Sequence, residues 1–254
     1  EPIIVVRGFW SSFNQTVLIL LDGIPQTNDL SGDRLAVLGL LPLDMIDRIE
    51  IIRGPGSALY GADAFSAVIN IITRQTPPDK TQITLGGGSL QTYDARWMSG
   101  GRVGNFDIVG AFEYKASDGD APFIVADLQT SIDHLFGTRA SLAPGLSNTN
   151  QHLFGALVNV TGDHTSLMLR TSLGRDIGMG IGLAAALDPY GTIDTNTFEG
   201  RFEWRTNGDQ WKAKVIFDEL FYQTLINNAH LFPPGAFNLF PNGVISNSNL
   251  ELTH

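Results

Sequence analysis

The sequence predicts a mostly β chain, with a small α+β unit over residues 1–76 and about eight antiparallel strands of a transmembrane β-barrel over residues 79–254. Three observations predict this architecture. Before residue 77, short elements are separated by many turn residues. Beyond it, segments of about ten residues alternate in polarity, as membrane β-strands do. Apart from a short first link near residues 89–90, short and long connections between those segments also alternate along the chain.

Composition excludes several functions. The 254 residues include no cysteine, which excludes a disulfide framework and thiolate metal sites. The net charge of −10 argues against nucleic acid, because a phosphate backbone attracts basic surfaces. The longest apolar runs, Val17–Leu21 and Leu35–Leu43, are far shorter than the roughly 18 residues of a spanning helix. The first residue is Glu and no signal peptide is visible, so we expect a piece of a longer chain.

The first unit begins with two short elements. Val17–Leu21 is an apolar strand, and Asp22-Gly23 is a tight-turn signal directly after it. Pro42 and Asp44 then begin a short helix, because proline suits the first helical position and an acid suits the exposed amides.

A charged strand and an apolar strand complete the unit. Arg48–Arg53 is the charged strand, and Gly54-Pro55-Gly56 ends it because proline donates no hydrogen bond and glycine accepts positive φ. Ala67–Thr73 is the apolar strand, and Pro77-Pro78 ends the unit.

The second part contains the predicted barrel strands. Thr197–Arg205 shows their alternation most clearly, with Phe198, Phe202 and Trp204 on one face and charged residues on the other. Soluble sandwiches also alternate with period two, so the strands alone do not decide the class. The predicted ranges are 81–88, 91–102, 106–115, 151–161, 165–174, 196–206, 210–222 and 247–254.

Connection lengths favour a membrane barrel over a sandwich. Outer-membrane barrels have short periplasmic turns and long extracellular loops. A sandwich has no reason to place every long loop at one end. The tight connections are 103–105, 162–164 and 207–209, and the long ones are 116–150, 175–195 and 223–246.

Four phrases in the first unit carry a family resemblance. They are VLILLDGIP (Val17–Pro25), DRIEIIRGP (Asp47–Pro55), SALYG (Ser57–Gly61) and VINIIT (Val68–Thr73). In this order and spacing they closely resemble the plug domain of TonB-dependent outer-membrane receptors. The resemblance covers roughly residues 3–75. It implies a barrel of about 22 strands, of which this chain holds the first part and lacks the amino-terminal coupling peptide.

The resemblance implies energy-coupled uptake in the outer membrane of a Gram-negative bacterium. Ligand would bind from outside, and the TonB–ExbB–ExbD complex would drive the plug to rearrange. An iron–siderophore complex is the expected ligand, with cobalamin, haem and carbohydrate as alternatives. The sequence contains no GxSxG, P-loop or HExxH motif, so we do not expect an enzyme and expect no cofactor.

The resemblance also implies two groups of functional residues. Two polar loops match the plug apices that contact ligand; the residues are Phe9, Trp10, Ser11, Asn14, Thr27, Asn28 and Asp29. The charged strand matches the place where plug arginines pair with the barrel wall. Arg48, Glu50 and Arg53 are the predicted latch, with Glu199, Arg201 and Glu203 as plausible wall partners.

Aspartates in the first long loop suggest a weaker possibility. Carboxylates near glycine can bind Ca²⁺ in an outer loop, yet their spacing fits no EF-hand, so solvated loop charge is the favoured interpretation. The candidates are Asp118, Asp120, Asp127 and Asp133.

Two other classes of protein remain as alternatives. A passive porin or an adhesin barrel would explain the strands, yet it leaves residues 1–76 without a role. A soluble β-rich binding protein or hydrolase would explain the composition but not the connection lengths.

Overall fold

The structure is a computed structural model. It describes residues 4–5, 15–27, 34, 38–54, 56, 60, 64–182, 185–207, 212–236 and 242–253. A four-stranded sheet forms the N-terminal unit, defined as the described residues up to 76. An eight-stranded sheet, termed the wall, follows it, and one hydrophobic cluster joins the two.

The N-terminal unit is a mixed sheet. Its strands are β1 (Val17–Leu21), β2 (Ile24–Pro25), β3 (Ile46–Arg53) and β4 (Ala67–Thr73). They lie in the order β2-β1-β4-β3, and β1 runs parallel to β4, whereas β2 and β3 are antiparallel to their neighbours. β1 is buried along its whole length, as expected for an apolar strand with neighbours on both sides.

The predicted turn and short helix are both confirmed. Asp22 and Gly23 have φ values of 51° and 86°, so both central residues of this two-residue turn are left-handed. A 3-10 helix covers Leu43–Met45, directly after Pro42. β3 is an exposed edge strand that begins at Ile46, slightly before the predicted charged strand.

The wall is an antiparallel meander in which every strand pairs with the next wall strand along the chain. All eight predicted strands are confirmed. The seventh continues to Phe232, past its predicted end at residue 222, because it pairs with the sixth as far as Asn227 and with the eighth as far as Phe232. The strands are β5 (Gln82–Gly88), β6 (Thr92–Val103), β7 (Phe106–Ser117), β10 (Gln151–Thr161), β11 (Thr165–Gly178), β12 (Thr192–Asn207), β13 (Lys212–Phe232) and β14 (Val244–Thr253).

The two faces of the wall differ in polarity, as the alternation predicts. Phe198, Phe202 and Trp204 point away from the N-terminal unit and are 52%, 41% and 40% exposed. Glu199 and Arg201, on the opposite face of the same strand, are buried against the unit. The outward face is therefore apolar and the inward face polar.

The first long connection is ordered rather than irregular. It contains a two-stranded ribbon, β8 (Phe123–Ile124) with β9 (Gly145–Leu146), and the helix α1 (Leu128–Phe136). Asp127 caps the helix and Gly137, with a φ of 68°, ends it. Among the residues that the structure describes, no helix has the length and apolarity needed to cross a membrane.

Candidate functional site

The junction between the N-terminal unit and the wall is the candidate functional site. Three segments of the unit contact the inner face of the wall: the first segment (Leu21–Gln26), the second segment (Leu38–Leu43) and the third segment (Thr73–Gln75). In each segment, a wall side chain hydrogen-bonds to the main chain or to a polar side chain of the unit.

A buried charge network lies at the centre of this junction. Glu199 and Arg170 have fully buried side chains, and Arg201 is 6% exposed. Glu199 accepts hydrogen bonds from Arg170 Nη2 at 2.6 Å and from Arg201 Nη2 at 2.5 Å. Arg201 Nε also donates to Asp218 at 2.7 Å, so two carboxylates offset two guanidinium groups. This pairing offsets the cost of burying the charges.

The two arginines also bind the N-terminal unit. Arg170 donates to Gln26 Oε1 at 2.8 Å and to the main-chain oxygen of Leu38. Arg201 donates to the main-chain oxygen of Leu21 at 2.9 Å. Because two of these acceptors are main-chain carbonyl groups, the attachment depends on where the backbone of the unit lies.

The second segment lies against the wall at very close range. The amide of Leu40 donates to Ser172 Oγ at 2.8 Å, and the amide of Leu43 donates to Glu113 Oε2 at 2.9 Å. A Cβ at Gly155 of β10 would overlap the Leu40 carbonyl group, so only glycine permits this approach.

The third segment is attached by uncharged side chains. Asn159 Nδ2 donates to Thr73 Oγ1 at 2.8 Å and to the main-chain oxygen of Arg74 at 2.9 Å. Thr161 Oγ1 donates to Gln75 Oε1 at 2.7 Å. These bonds join the end of β4 to the short-turn end of the wall.

Apolar packing supports the polar contacts. Ile19 and Met45 of the unit share one buried cluster with Met98, Leu157 and Met168 of the wall. Burial of these side chains removes apolar surface from water and stabilises the junction. The junction is thus part apolar core and part charged network.

A crevice remains between the first and third segments, at the short-turn end of the wall. It has a volume of about 310 Å³. Asp22 and Gln75 line it from the unit, and Ser166, Arg205 and Lys214 line it from the wall. Polar and charged groups thus face one another across the crevice.

The structure gives the predicted latch residues different partners. Arg48 pairs with Glu50 at 2.9 Å and with Asp47 at 3.1 Å, both in its own strand. β3 is exposed at the edge of the unit, and Arg53 is exposed with it. Within the described part of the chain, the ion pairs between the wall and the unit join Arg96 to Asp44 at 3.6 Å and Arg201 to Asp22 at 4.0 Å. The latch role of the charged strand stays a prediction.

Sequence reasoning found part of the observed network. Glu199 and Arg201 were expected as wall partners and do face the unit. Glu199 accepts a hydrogen bond from Gln26, and Arg201 donates to the Leu21 main-chain oxygen and lies 4.0 Å from Asp22. Arg170 was missed. A lone charged residue inside the apolar stretch Leu167–Leu173 was the signal that could have identified it.

Most of the predicted ligand-contacting residues lie outside the described residues. These are Phe9, Trp10, Ser11, Asn14, Asn28 and Asp29. Thr27 is described, and its hydroxyl oxygen accepts a hydrogen bond from Arg34 Nη1 at 3.0 Å. Contact of these residues with ligand stays a prediction.

Two of the loop aspartates have structural roles. Asp127 accepts hydrogen bonds from the Thr130 and Leu187 amides, both at 2.7 Å. Burial alone would raise the pKa of Asp127, but these bonds and one from Ser141 Oγ hold it below its ordinary value. Asp133 likewise has a lowered pKa, because hydrogen bonds to its carboxylate outweigh burial.

The remaining loop aspartates do not form a cluster with these two. Asp120 accepts a hydrogen bond from Thr149 at 3.2 Å. Asp118 donates its amide to the Leu90 main-chain oxygen at 3.0 Å. No group of three or more metal-ligating His, Asp or Glu side chains occurs among the residues that the structure describes.

Comparisons with known proteins agree with this geometry. Residues 2–68 match the model of the TonB-dependent receptor plug domain. The vitamin B12 transporter BtuB of Vibrio vulnificus (strain CMCP6) is 36% identical over 114 residues, which cover 43% of this chain and 18% of that protein.

Solved structures share the fold at low sequence identity. The ferric enterobactin receptor PfeA of Pseudomonas aeruginosa superposes with a TM-score of 0.55 and 18% identity, covering 94% of this chain and 37% of that one. The copper transporter OprC superposes with a TM-score of 0.60 and 15% identity, covering 99% of this chain and 36% of that one. The matched family model therefore identifies residues 2–68 as a plug domain of the TonB-dependent receptor family, and the chain as a whole shares the fold of solved receptors that combine a plug with a barrel.

Proposed function

We propose that the full-length protein takes up a scarce ligand across the outer membrane, with residues 1–76 acting as the plug and residues 79–254 as the start of the barrel. The matched part of this chain covers 18% of the length of the vitamin B12 transporter BtuB and 37% of the length of the ferric enterobactin receptor. The observation that carries the proposal is the buried junction, in which the N-terminal unit covers the polar inward face of the wall while the apolar face points away.

The junction suits a plug that must be both held and released. Its charged contacts are few and directional, and each can be replaced by water when the unit moves. Arg170 and Arg201 bind main-chain oxygens near the two ends of the stretch between Leu21 and Leu38. Pulling on the unit would break these bonds one after another.

The energy for that movement would come from the TonB–ExbB–ExbD complex. It would act through a coupling peptide on the amino-terminal side of the plug. The contacts of this protein with that complex and with outer-membrane lipid belong to the same proposal, as does its place in a Gram-negative outer membrane.

An iron–siderophore complex is the ligand that we propose first. The ferric enterobactin receptor supports this choice by its fold alone, since its identity with this chain is 18%. The relative that matches by sequence is a vitamin B12 transporter, so cobalamin is the second candidate. Haem and carbohydrate are the next candidate ligands, and copper is included because the copper transporter OprC shares the fold. These compounds form the panel of ligands to be tested.

Uptake by the full-length receptor in cells tests the function. Cells expressing the receptor would be given radiolabelled ferric enterobactin, cobalamin, haem, a maltooligosaccharide or copper, each with and without a protonophore. We expect accumulation of one of them that disappears when the proton gradient collapses. Accumulation that the protonophore leaves unchanged would indicate a passive porin instead.

Fractionation separates the remaining classes. We expect the full-length protein to stay with outer membranes through a carbonate wash. Release by the wash would indicate a soluble binding protein or hydrolase. Membrane retention without uptake of any panel ligand, combined with cell adhesion, would indicate an adhesin.

A further inference from the structure

The crevice at the short-turn end of the junction differs from the rest of the contact. The second segment interlocks with the wall, since Gly155 leaves no room between the strand and Leu40. On either side of the crevice, by contrast, side-chain hydrogen bonds attach the unit and open space lies between them. Arg201 binds Leu21 on one side, and Asn159 and Thr161 bind the third segment on the other. Water can replace such hydrogen bonds, so we expect the unit and the wall to separate more easily here than at the second segment.

The Asp22-Gly23 turn forms the movable side of the crevice. Arg201 Nη1 lies 4.0 Å from Asp22, which makes this ion pair with the wall weak. The stronger bonds of Asp22 go to the amide and hydroxyl of Thr73, both at 2.7 Å, and so stay inside the unit. A Cβ at Gly23 would meet no atom within 4 Å. Displacement of this turn from the wall would therefore uncover polar groups and disrupt little packing.

The fixed side of the crevice has an excess of positive charge at its open end. Lys214 Nζ lies 2.8 Å from Glu203, and Arg205 Nη1 lies 4.0 Å from the same carboxylate. Two cations thus share one carboxylate, and their side chains are 55% and 43% exposed. Deeper in the crevice, Arg201 is already balanced by Glu199 and Asp218. An anionic group that entered would meet Lys214 and Arg205 first.

We propose that this crevice is a transit site for the transported ligand at the periplasmic end of the wall, where Arg205 and Lys214 receive its anionic groups once the Asp22-Gly23 turn moves aside. The proposal rests on the proposed function and gives it a location. Short turns face the periplasm in outer-membrane barrels, which places the crevice on the exit side.

The first test measures the charge preference of the closed crevice. These 254 residues contain no cysteine, so Ser166→Cys would place a thiol at the crevice of the purified full-length receptor, with any cysteine elsewhere in the receptor replaced by serine. An anionic and a cationic methanethiosulfonate would be compared by their rates of reaction. We expect the ratio of the anionic to the cationic reaction rate to be roughly tenfold higher at Ser166→Cys than at Asn105→Cys. Asn105 is the reference because it is an exposed position in another short turn.

Adding Arg205→Gln and Lys214→Gln should abolish that preference at Ser166→Cys. The same pair of changes should leave the ratio at Asn105→Cys unaltered. Equal ratios at the two cysteines before the charges are removed would overturn the anion-binding part of the proposal.

The second test asks whether the crevice opens during transport. The rate at which a maleimide in the periplasm labels Ser166→Cys and Asn105→Cys would be measured in energised cells. The cells would be supplied with the compound that the uptake assay identifies, or with ferric enterobactin if it identifies none. We expect labelling at residue 166 alone to change several-fold, and a protonophore to cancel the change.

The two proposals fail in different ways. Protonophore-sensitive uptake with constant labelling at residue 166 would overturn the transit site and leave the transporter intact. Uptake that a protonophore does not affect, or no uptake at all, would contradict the proposed function. In those two cases a constant labelling rate would also reject the transit site.

Discussion

Arg170 illustrates at the residue scale how the wall holds the unit. Its guanidinium group contacts Glu199, Gln26 and the carbonyl oxygen of Leu38, and its side chain is fully buried. Arg170→Met would leave the Leu38 oxygen without this donor and Glu199 with only Arg201 as a charged partner. We expect a loss of about 3 kcal/mol in the free energy of unfolding, because breaking one side of a buried ion pair is costly.

Thermal unfolding and trypsin cleavage of the N-terminal unit would measure this loss in the full-length receptor. Arg205→Met is the matched control, since Arg205 lies on the inward face of β12 but is 43% exposed. We expect it to cost less than about 1 kcal/mol. Equal unfolding temperatures for the two variants would show that the network does not hold the unit.

Residue-scale prediction from the sequence succeeded for orientation, whereas the partners of the predicted latch stay a prediction. Alternation alone correctly placed Glu199 and Arg201 on the inward face. The family resemblance, rather than alternation, assigned Arg48 to the latch, and within the described residues Arg48 pairs with Glu50 two positions along the strand. A period-two pattern fixes which face a side chain occupies, but the partner depends on how two distant segments pack, which no local pattern contains.

At the scale of elements, the fit between β10 and the second segment depends on Gly155. A Cβ there would lie 3.0 Å from the carbonyl carbon of Leu40 and closer still to its oxygen. Gly155→Ala should therefore push the second segment off the wall and destabilise the junction by about 1–3 kcal/mol. Trypsin cleavage of the unit and the unfolding temperature would both report the change.

Gly101→Ala in β6 is the corresponding control. A Cβ at Gly101 would have no neighbour within 4 Å. We expect its effect to stay within about 0.5 kcal/mol. A Gly155→Ala protein as stable as the Gly101→Ala protein would mean that the second segment tolerates a shift from the wall.

The stability of helix α1 depends on the negative charge of Asp127, which caps it. Its pKa in the folded state lies below the ordinary value of 3.8, because hydrogen bonds from Leu187, Ser141 and Thr130 outweigh burial. A lowered folded pKa means that the stabilisation is complete above the ordinary value and is lost as the pH falls through the folded value. We therefore expect the helix to loosen only below a pH of about 3.8.

Hydrogen exchange of the segment 125–136, corrected for the intrinsic rate at each pH, would follow this loss. Asp127→Asn has no charge to lose at that position, so its exchange should lack the Asp127 contribution to the acid transition. Asp120→Asn is the control, because Asp120 is tied to the loop by one hydrogen bond from Thr149 at 3.2 Å. An identical acid response in the wild type and in Asp127→Asn would assign the loosening to another group.

On the scale of the whole molecule, the sequence predicted the order of strands better than the contacts between the two sheets. All eight wall strands were anticipated, because each carries its own alternation and turn signals. The small helix and ribbon in the first long connection were not, since elements this short lack a clear period. The close approach of the second segment to Gly155 also had no local signal.

The wall as a whole predicts an environment for each of its faces. Leu169 of β11 is 41% exposed on the outward face, and Leu135 of α1 is 77% exposed in the first long connection. In water, Leu→Arg at either position would cost little. In a membrane, Leu169→Arg would place a charge in hydrocarbon, and we expect a loss of about 2–4 kcal/mol if the site lies at the midplane of the bilayer.

Urea titrations of the full-length receptor folded into phosphatidylcholine vesicles would measure both variants. Leu135→Arg should stay within about 0.5 kcal/mol of the wild type, because residue 135 is exposed on the helix of the first long connection. The difference between the two variants therefore separates a lipid-facing wall from a soluble sheet. Equal stability of Leu169→Arg and Leu135→Arg in vesicles would mean that the apolar face of the wall does not contact lipid, and the barrel interpretation of these strands would have to be given up.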